Sequence, residues 1–330
     1  MKNIAIISGA SSGLGECFVE ALVELSECGA ESRLDSALES NQACNVESHA
    51  DFYLDSTLDS KLDSDLESAL ESCVQKSAHS ANHNTNHNAH ATKCSAKNPF
   101  FQTPFSQINE IWLIARRRER LEALARRFPQ KSFKILALDL ADMASFTELE
   151  RILKDESPRI SLLISNAGVS HYGSFSDISL ASALEIIALN ITAATALTKI
   201  CLPFMQSASK IVEVSSVSSF APNVNLLVYS ASKAYLSAFS LGLGEELRAQ
   251  NISVTALCPG LMQTEMFANL GQARPNARKL LKLDPKKVAL GTLKATLKNK
   301  RIYTPSVFYK IYRILARILP YALVLKLARM

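Results

Sequence analysis

Residues 4–15 read Ile-Ala-Ile-Ile-Ser-Gly-Ala-Ser-Ser-Gly-Leu-Gly. The first four of these residues are apolar, as in a strand that is buried on both faces of a sheet. The glycines that follow let the backbone turn tightly and approach a bound anion. A helix is predicted next, and its N-terminal amides and dipole favour a phosphate group. Strand, turn and helix in this order predict a dinucleotide-binding unit.

The chain outside residues 31–107 alternates between short apolar runs and helical patterns. Further strands are predicted over residues 111–114, 134–138, 162–165, 211–215 and 253–257. Helices are predicted between them, over residues 119–128, 180–202 and 231–249 among others. This alternation is typical of a parallel sheet with helices on both faces. The predicted fold class is therefore α/β, a Rossmann-like doubly wound parallel sheet in three α/β/α layers.

Residues 31–107 are predicted to form a low-complexity insert that is disordered or loosely helical. Leucine recurs every fourth residue over 54–70, so the leucine stripe would drift around a helix of 3.6 residues per turn. His79, His83 and His87 would share one helical face and could ligate a divalent ion. Nothing nearby supplies rigid supporting groups, so a repeat-expanded insert is the preferred interpretation and no metal site is predicted.

Charge is distributed unevenly along the chain. The formal net charge is +5, from 36 Lys and Arg against 31 Asp and Glu. No acidic residue follows Asp284, whereas eleven Lys and Arg do. Residues 285–330 are therefore predicted to be a basic amphipathic C-terminal extension, and residues 306–330 to contact a membrane surface. The alternative is an ordinary helix that closes the substrate pocket or makes a subunit contact. No recognised nucleic-acid motif accompanies this charge, so nucleic-acid binding is not expected.

The cysteines and the N-terminal sequence predict a cytoplasmic protein, peripheral at the inner face of a membrane if the extension binds there. Seven cysteines include no C-x-x-C pair, which argues against a structural zinc site or a disulfide scaffold. The first residues lack the pattern of a secretory signal. No uninterrupted apolar run reaches the ~18 residues of a transmembrane helix. With the insert set apart, a single domain is predicted over residues 1–330.

The end of the second predicted strand carries a signal for cofactor choice. In dinucleotide-binding sheets, an acidic residue there binds the ribose 2′-hydroxyl of NAD, whereas an arginine suits a 2′-phosphate. Here Ala115 is followed by Arg116 and Arg117. A guanidinium binds phosphate in a fork, so we expect Arg116 to bind the 2′-phosphate and Arg117 to assist. NADP(H) is therefore predicted in preference to NAD(H).

Tyr229 and Lys233 stand four residues apart on a predicted helix and so share one face. A nearby ammonium group lowers the pKa of a tyrosine, which is ordinarily near 10. Tyr229 can then give a proton to a carbonyl oxygen, or take one from an alcohol. Ser216, thirteen residues earlier, can hydrogen-bond the same oxygen, and Ser215 is the neighbouring alternative.

These motifs together resemble the short-chain dehydrogenase/reductase family, in the spacing of its glycines and in its Y-x-x-x-K pair. Ser8 stands where the family usually has threonine, and the hydroxyl is retained. The resemblance implies four catalytic residues: Asn190, Ser216, Tyr229 and Lys233, with the asparagine holding a water beside the lysine. It also implies cofactor contacts at Ser8, Gly9, Ser11, Ser12, Gly13, Leu14, Gly15, Arg116, Arg117, Asp139, Leu140, Asn166, Ala167, Gly168, Tyr229, Lys233, Pro259, Gly260 and Thr264.

The activity that the resemblance implies is NADP(H)-linked interconversion of a carbonyl and an alcohol in a small molecule. Residues 261–282 are predicted to form a flap over the pocket, and its Met262, Met266, Phe267 and Leu270 suggest a hydrophobic substrate. In the family, helices corresponding to 180–202 and 231–249 often pair, so a homodimer or homotetramer is expected. Two alternatives are a non-catalytic NADP(H)-binding sensor and a membrane-peripheral scaffold.

Overall fold

Seven strands run parallel in one sheet in the computed structural model, which describes residues 1–27, 105–262, 264–266 and 282–328. The strands are β1 (Asn3–Ser8), β2 (Glu110–Ile114), β3 (Ser132–Leu136), β4 (Arg159–Ser165), β5 (Met205–Val214), β6 (Ser253–Leu257) and β7 (Ile302–Tyr303). Their order across the sheet is β3-β2-β1-β4-β5-β6-β7. The strand order reverses between β1 and β4, and in such sheets ligands bind in the crevice at that point.

Helices cover both faces of the sheet, which confirms the predicted three-layer α/β fold. They are α1 (Gly13–Glu27), α2 (Arg118–Arg126), α3 (Met143–Glu156), α4 (Leu180–Ile187), α5 (Ala193–Cys201), α6 (Leu227–Glu246), α7 (Pro285–Leu297), α8 (Val307–Ile318) and α9 (Tyr321–Ala328). The buried residues of α1, α2 and α7 pack on one face, and those of α3 and α5 pack on the other.

β1 is buried on both faces because its side chains alternate between the two cores. Ala5 and Ile7 belong to the core under α1, whereas Ile4 and Ile6 belong to the core under α3. Successive side chains of a strand point to opposite faces, so a strand in the middle of a sandwich needs an unbroken apolar run. β1 accordingly pairs with β2 on one edge and β4 on the other.

Some strand bounds differ from those predicted, because apolar patterning does not mark polar strand ends. β3 begins two residues before the predicted 134–138, and its first residue is exposed. β5 begins at Met205 rather than at residue 211, and its register jumps where residues 206–209 bulge out, with Ala208 at a φ of 70°. β7 was not predicted, since two half-buried residues carry no periodic signal.

The predicted helix over 180–202 is one continuous helical run with a change of pitch in its middle. Residues Ala188–Thr192 form a π-helical turn between α4 and α5. The run Leu180–Phe204 is long and apolar enough to cross a membrane by length and composition. Ala193, Leu197 and Cys201 are nevertheless buried against the sheet, which is the packing of a core helix. The run is therefore part of the fold of the sheet domain.

α6 begins four residues earlier than the predicted 231–249 and ends at Glu246. The earlier start places Tyr229 in the first turn of this helix, close to the end of β5.

The predicted low-complexity insert and its three histidines lie outside the described residues. The last three residues of the predicted 31–107 segment are the exception, because the structure describes residues 105–107. The side chain of Phe105 is fully buried in the core beside α1 and β2. The folded part of the chain therefore resumes before residue 107.

Candidate active site

A cavity of about 530 Å³ opens at the carboxyl ends of the strands. Residues that directly follow β1, β2, β4 and β5, and Pro259 two positions after β6, all reach it, as the crevice rule for such sheets requires. Most of the residues predicted from sequence line its wall: Gly9, Ser11, Ser12, Gly13, Leu14, Arg116, Arg117, Asp139, Leu140, Asn166, Ala167, Gly168, Ser216, Tyr229, Lys233, Pro259, Gly260 and Thr264. Ser8, Gly15 and Asn190 are not among the residues that line it, and their contacts lie behind it.

The turn after β1 depends on glycine for both its conformation and its packing. Gly9 has a φ of 65° and Gly13 a φ of 58°, values that residues with a side chain rarely adopt. A Cβ on Gly15 would lie 2.1 Å from the carbonyl oxygen of Gly9. α1 begins at Gly13, so its first amides, which have no partner within the helix, adjoin the cavity. The turn thus fits an anionic phosphate group.

Ser8 joins the ends of β1 and β4 rather than facing the cavity. Its hydroxyl accepts hydrogen bonds from the backbone amides of Asn166 (2.9 Å) and Ala167 (3.1 Å). The Asn166 amide group in turn donates to the carbonyl oxygens of Ser8 and Gly9. A hydroxyl is what this position requires, so serine serves there as threonine would.

Two arginines, Arg116 and Arg117, follow the end of β2. The Arg117 guanidinium donates to the hydroxyls of Ser12 (3.0 Å) and Ser11 (3.3 Å) and to Glu265 (3.2 Å). Arg116 lies 4.0 Å from the carboxylate of Asp139. Both side chains line the cavity. The structure therefore places Arg117, which was expected only to assist, directly over the serines of the turn.

Tyr229, Lys233 and Ser216 meet at the other end of the cavity. The Lys233 ammonium group donates to the carbonyl oxygen of Val214 at 2.7 Å and lies 5.7 Å from the centre of the Tyr229 ring. Ser216 caps a short 3₁₀ turn, and its hydroxyl also hydrogen-bonds Tyr229. A carbonyl oxygen at this point would meet a hydroxyl from each of Ser216 and Tyr229.

Ser215 and Ser216 have different hydrogen-bond partners in the structure. The Ser215 hydroxyl donates to the carbonyl oxygen of Lys233 at 2.7 Å and lies 2.8 Å from the Ser237 hydroxyl. Ser215 therefore anchors α6 to the end of β5. Ser216 is the serine that turns toward Tyr229.

The pKa values at this end of the cavity are set mainly by burial. Burial raises the pKa of Tyr229, and the hydrogen bond with Ser216 opposes the rise. Burial lowers the pKa of Lys233 to about 8, and the nearby Glu213 carboxylate opposes that fall. The lowering effect that the sequence predicts for Lys233 stays a prediction, since the net pKa of Tyr229 in this geometry lies above its ordinary value. The lysine is directed to the carbonyl of Val214, and burial of the phenol dominates.

Asn190 lies in the π-helical turn and is fully buried. Its amide nitrogen donates to the carbonyl oxygen of Val169 and to the Ser232 hydroxyl, both at 3.0 Å. Its side-chain oxygen accepts from the Val169 amide at 2.8 Å. Val169 lies in the loop after β4, and Ser232 lies on α6. Asn190 therefore holds that loop against α6. Pitch changes of this kind are frequent at functional sites.

Glu213 is a buried acidic residue behind the site that the sequence analysis did not single out. Its side chain is fully buried on β5, and its carboxylate accepts a hydrogen bond of 2.6 Å from Thr198. Burial raises the pKa of Glu213 to about 7, against the opposing effects of Thr198, Ser165 and Lys233. The sequence offers one sign of it, since an acidic residue within the apolar strand 211–214 is unusual in a buried strand.

The segment after β6 closes the cavity from the side of the glycine turn. The side chain of Thr264 approaches Gly13, where a Cβ would lie 3.3 Å from it. Gly260 lies against the Tyr309 ring of α8, so closely that a Cβ would come within 1.9 Å of it. Met262 and Met266 line the cavity as predicted, whereas Phe267, Leu270 and most of the predicted flap lie outside the described residues.

Comparison with known proteins agrees with this geometry. The profile of the short chain dehydrogenase family matches residues 105–275. An uncharacterized oxidoreductase of Staphylococcus aureus (strain N315) is 27% identical over 195 residues, which is 58% of this chain and 82% of that protein. A dehydrogenase of Cochliobolus heterostrophus is 34% identical over 113 residues, 34% of this chain and 49% of that protein.

Two solved structures show a similar fold. One is a short-chain dehydrogenase from Sphingobium yanoikuyae in complex with NADPH, with a TM-score of 0.59 at 20% identity, covering 98% of each chain. The other is a bulky-bulky ketone specific alcohol dehydrogenase from Comamonas testosteroni, with a TM-score of 0.57 at 19% identity, covering 97% of this chain and 95% of that one.

Proposed function

This chain belongs to the short-chain dehydrogenase family, and we propose that it interconverts a carbonyl and an alcohol with NADP(H), using Tyr229 as the general acid and base. Membership of the family makes it an oxidoreductase of carbonyl and alcohol groups. The observation that carries the proposal is one cavity that joins a glycine turn suited to phosphate with Ser216, Tyr229 and Lys233.

The chemistry divides between the cofactor and the protein. NADPH, when bound, supplies the hydride in reduction, and NADP⁺ accepts it in oxidation. Ser216 donates a hydrogen bond to the substrate oxygen and stabilises the charge that develops there. Tyr229 gives its proton to that oxygen in reduction and takes it back in oxidation. Lys233, with a pKa of about 8, is mostly protonated at neutral pH and places a positive charge beside this proton transfer.

Asn190 supports this arrangement from behind the cavity. Its three hydrogen bonds fix Val169 and Ser232. Ser232 directly precedes Lys233 on α6, and Val169 directly follows Gly168 in the cavity wall. We expect it to position Lys233 for proton exchange with solvent, which is the relay that the family resemblance implies. The predicted water beside the lysine belongs to the same proposal.

The preference for NADP(H) is supported by the charges at the end of β2. Arg116 and Arg117 both line the cavity, and Arg117 reaches the serines of the glycine turn. A 2′-phosphate at this place would receive charge-assisted hydrogen bonds from the guanidinium groups and hydroxyls together. The double substitution Arg116→Ala/Arg117→Ala should raise the KM for NADPH about 10- to 100-fold and change that for NADH little. Equal effects on the two cofactors would contradict the assignment.

A hydrophobic substrate is supported by four apolar side chains in the wall of the cavity. Leu226, Leu261, Met262 and Met266 all contribute to it. Apolar side chains around a few placed polar groups are typical of pockets for hydrophobic ligands. A series of ketones of increasing chain length should therefore show rising kcat/KM with NADPH. A flat or falling series would remove this part of the proposal.

A homodimer or homotetramer is supported by the apolar surface of α4. Leu180, Leu184 and Ile187 recur at helical spacing and are exposed. On α6, Tyr235 and Leu241 are exposed as well. Mass measurement in solution at several protein concentrations tests the assembly, and a monomer at all of them would contradict it.

Tyr229→Phe tests the mechanism directly. The change removes the hydroxyl and keeps the ring, so turnover should fall by at least about 10²- to 10⁴-fold while NADPH binding persists. Tyr235→Phe is the matched control on the same helix, because the Tyr235 hydroxyl contacts Thr195 on the outer surface. Unchanged turnover in Tyr229→Phe would refute the role of the tyrosine. Binding of NADPH by the wild-type protein without turnover of any ketone would instead indicate a sensor.

A further inference from the structure

α8 carries a row of apolar side chains that face away from the protein. Phe308, Ile311, Leu315 and Ile318 follow one another at intervals of three and four residues, so they share one helical face. These four side chains are between 40% and 55% exposed. Val307 on α8 and Leu323 on α9 are also exposed. Exposed apolar side chains grouped on one helical face are typical of an interaction site.

The other side of α8 is packed on the wall of the active-site cavity. Tyr309 is buried, and its ring rests on Gly260, which lines the cavity. The Tyr312 ring lies 6.2 Å from that of Phe220, just after the turn that Ser216 caps. α8 is thus held in place by its tyrosines, and its apolar row lies outside a wall of the cavity.

The charge of the residues near this apolar row indicates which kind of surface it binds. All eleven charged residues after Asp284 are Lys or Arg, and three of them, Lys310, Arg313 and Arg317, lie on α8 itself. A helix with an apolar face and a basic face lies flat in the boundary region of a membrane, where anionic lipids attract the cations. A second copy of this chain would bring the same cations to the interface and be repelled by them.

We propose that the apolar face of α8, formed by Phe308, Ile311, Leu315 and Ile318, docks on the surface of an anionic lipid bilayer. Docking there would bring the Gly260 wall of the cavity close to the membrane. A hydrophobic ketone or alcohol dissolved in the bilayer would then reach the cavity over a short path. This last step rests on the proposed function, whereas the docking itself does not.

The test is co-sedimentation of the full chain with vesicles of two compositions, phosphatidylcholine alone and an equal mixture of phosphatidylcholine and phosphatidylglycerol. Phe308→Ser/Ile311→Ser removes two side chains that are 55% and 48% exposed. Met143→Ser/Phe175→Ser is the matched control, because it removes two side chains of 60% and 64% exposure elsewhere on the surface. Arg317→Glu reverses one exposed charge on α8.

We expect the wild type and the control to sediment with the phosphatidylglycerol vesicles, and less with phosphatidylcholine or in high salt. Phe308→Ser/Ile311→Ser should lower the partition coefficient by at least about tenfold, and Arg317→Glu should lower it in the anionic vesicles only. Failure of the wild type to sediment, or equal sedimentation of Phe308→Ser/Ile311→Ser, would overturn the proposal. A change of oligomeric mass in that variant, without vesicle binding by the wild type, would assign the face to a second copy instead.

Sedimentation needs no turnover, so this result is independent of the proposed catalytic activity. NADPH oxidation with a water-soluble ketone, measured without vesicles, should be the same in the wild type and in Phe308→Ser/Ile311→Ser. Absence of that activity in both proteins would contradict the proposed function and leave the docking result standing.

Discussion

Replacing Glu213 with glutamine should remove a pH dependence of stability that this carboxyl group imposes on the folded protein. Glu213 is fully buried on β5, and burial raises its pKa from 4.5 to about 7. Glutamine has the same shape and can still accept the hydrogen bond from Thr198 through its amide oxygen. The substitution therefore removes the ionisation and keeps the packing.

The size of the effect follows from the pKa values. One pKa unit corresponds to ~1.4 kcal/mol, so a rise from 4.5 to about 7 amounts to ~3 kcal/mol. Below pH 4.5 the carboxyl is protonated in both the folded and the unfolded chain and imposes no penalty. Between these values the folded chain keeps a proton that the unfolded chain has lost, so the free energy of unfolding falls as the pH rises. Above the folded pKa the whole penalty is present.

The ionisation of Lys233 does not change the free energy of unfolding in the acidic range. Its pKa is about 8 in the folded chain and 10.5 in the reference state, so it holds a proton in both states below pH 7. Its own pH dependence begins near pH 7, where the folded chain starts to lose this proton, and has the opposite sign, since there the unfolded chain binds more protons.

The assay is urea unfolding of the wild type, Glu213→Gln and Glu246→Gln at pH 5, 6, 7 and 8. We expect Glu213→Gln to exceed the wild type by less than ~1 kcal/mol at pH 5 and by ~3 kcal/mol at pH 8. Glu246 is exposed at the end of α6, so its substitution should leave the profile unchanged. Parallel profiles for the wild type and Glu213→Gln would refute the argument that burial holds this carboxyl protonated.

Three further substitutions test the site and the core. Gly9→Ala should lower NADPH affinity and destabilise the fold by ~1–3 kcal/mol, because φ is 65° and the new Cβ would lie 2.8 Å from the Asn166 amide nitrogen; calorimetry of binding and of unfolding measures both, and unchanged affinity would contradict it. Asn190→Ala should cost ~1–3 kcal/mol of stability and reduce turnover, because it leaves the Val169 amide and carbonyl without their partner; full activity would exclude a positioning role. Leu149→Ala should cost ~2–5 kcal/mol in urea unfolding, because Leu149 is fully buried between α3 and the sheet, and a loss below ~1 kcal/mol would mean that the core is looser there.

The fold was predictable because its central strands are buried on both faces. Such strands must be apolar throughout, as Ile4–Ile7 are, and the glycine turn after them leaves a pattern that no other local structure requires. The sequence does not mark the bulge at Ala208 or the two-residue strand β7. Those features are set by pairing with neighbouring strands, and pairing leaves no apolar period in one chain segment.

The chemistry of the site was predictable where residue spacing alone defines it. Tyr229 and Lys233 share a helical face because they are four residues apart. Two arginines after β2 predict a phosphate-binding site without knowledge of their side-chain directions. Only the folded chain places Arg117 rather than Arg116 on the serines of the glycine turn. Only the folded chain sends the Lys233 ammonium group to the carbonyl of Val214.

The order of elements, the glycine turn and the residues that carry the chemistry can be predicted from the sequence, because each depends on neighbours along the chain. Which groups lose contact with water depends on how distant segments pack. Glu213 and Lys233 have shifted pKa values because helices and strands distant in sequence enclose them. The apolar row of α8 is exposed because the helix packs on the cavity wall through Tyr309, and no helical pattern reveals which of two apolar sides a protein will bury.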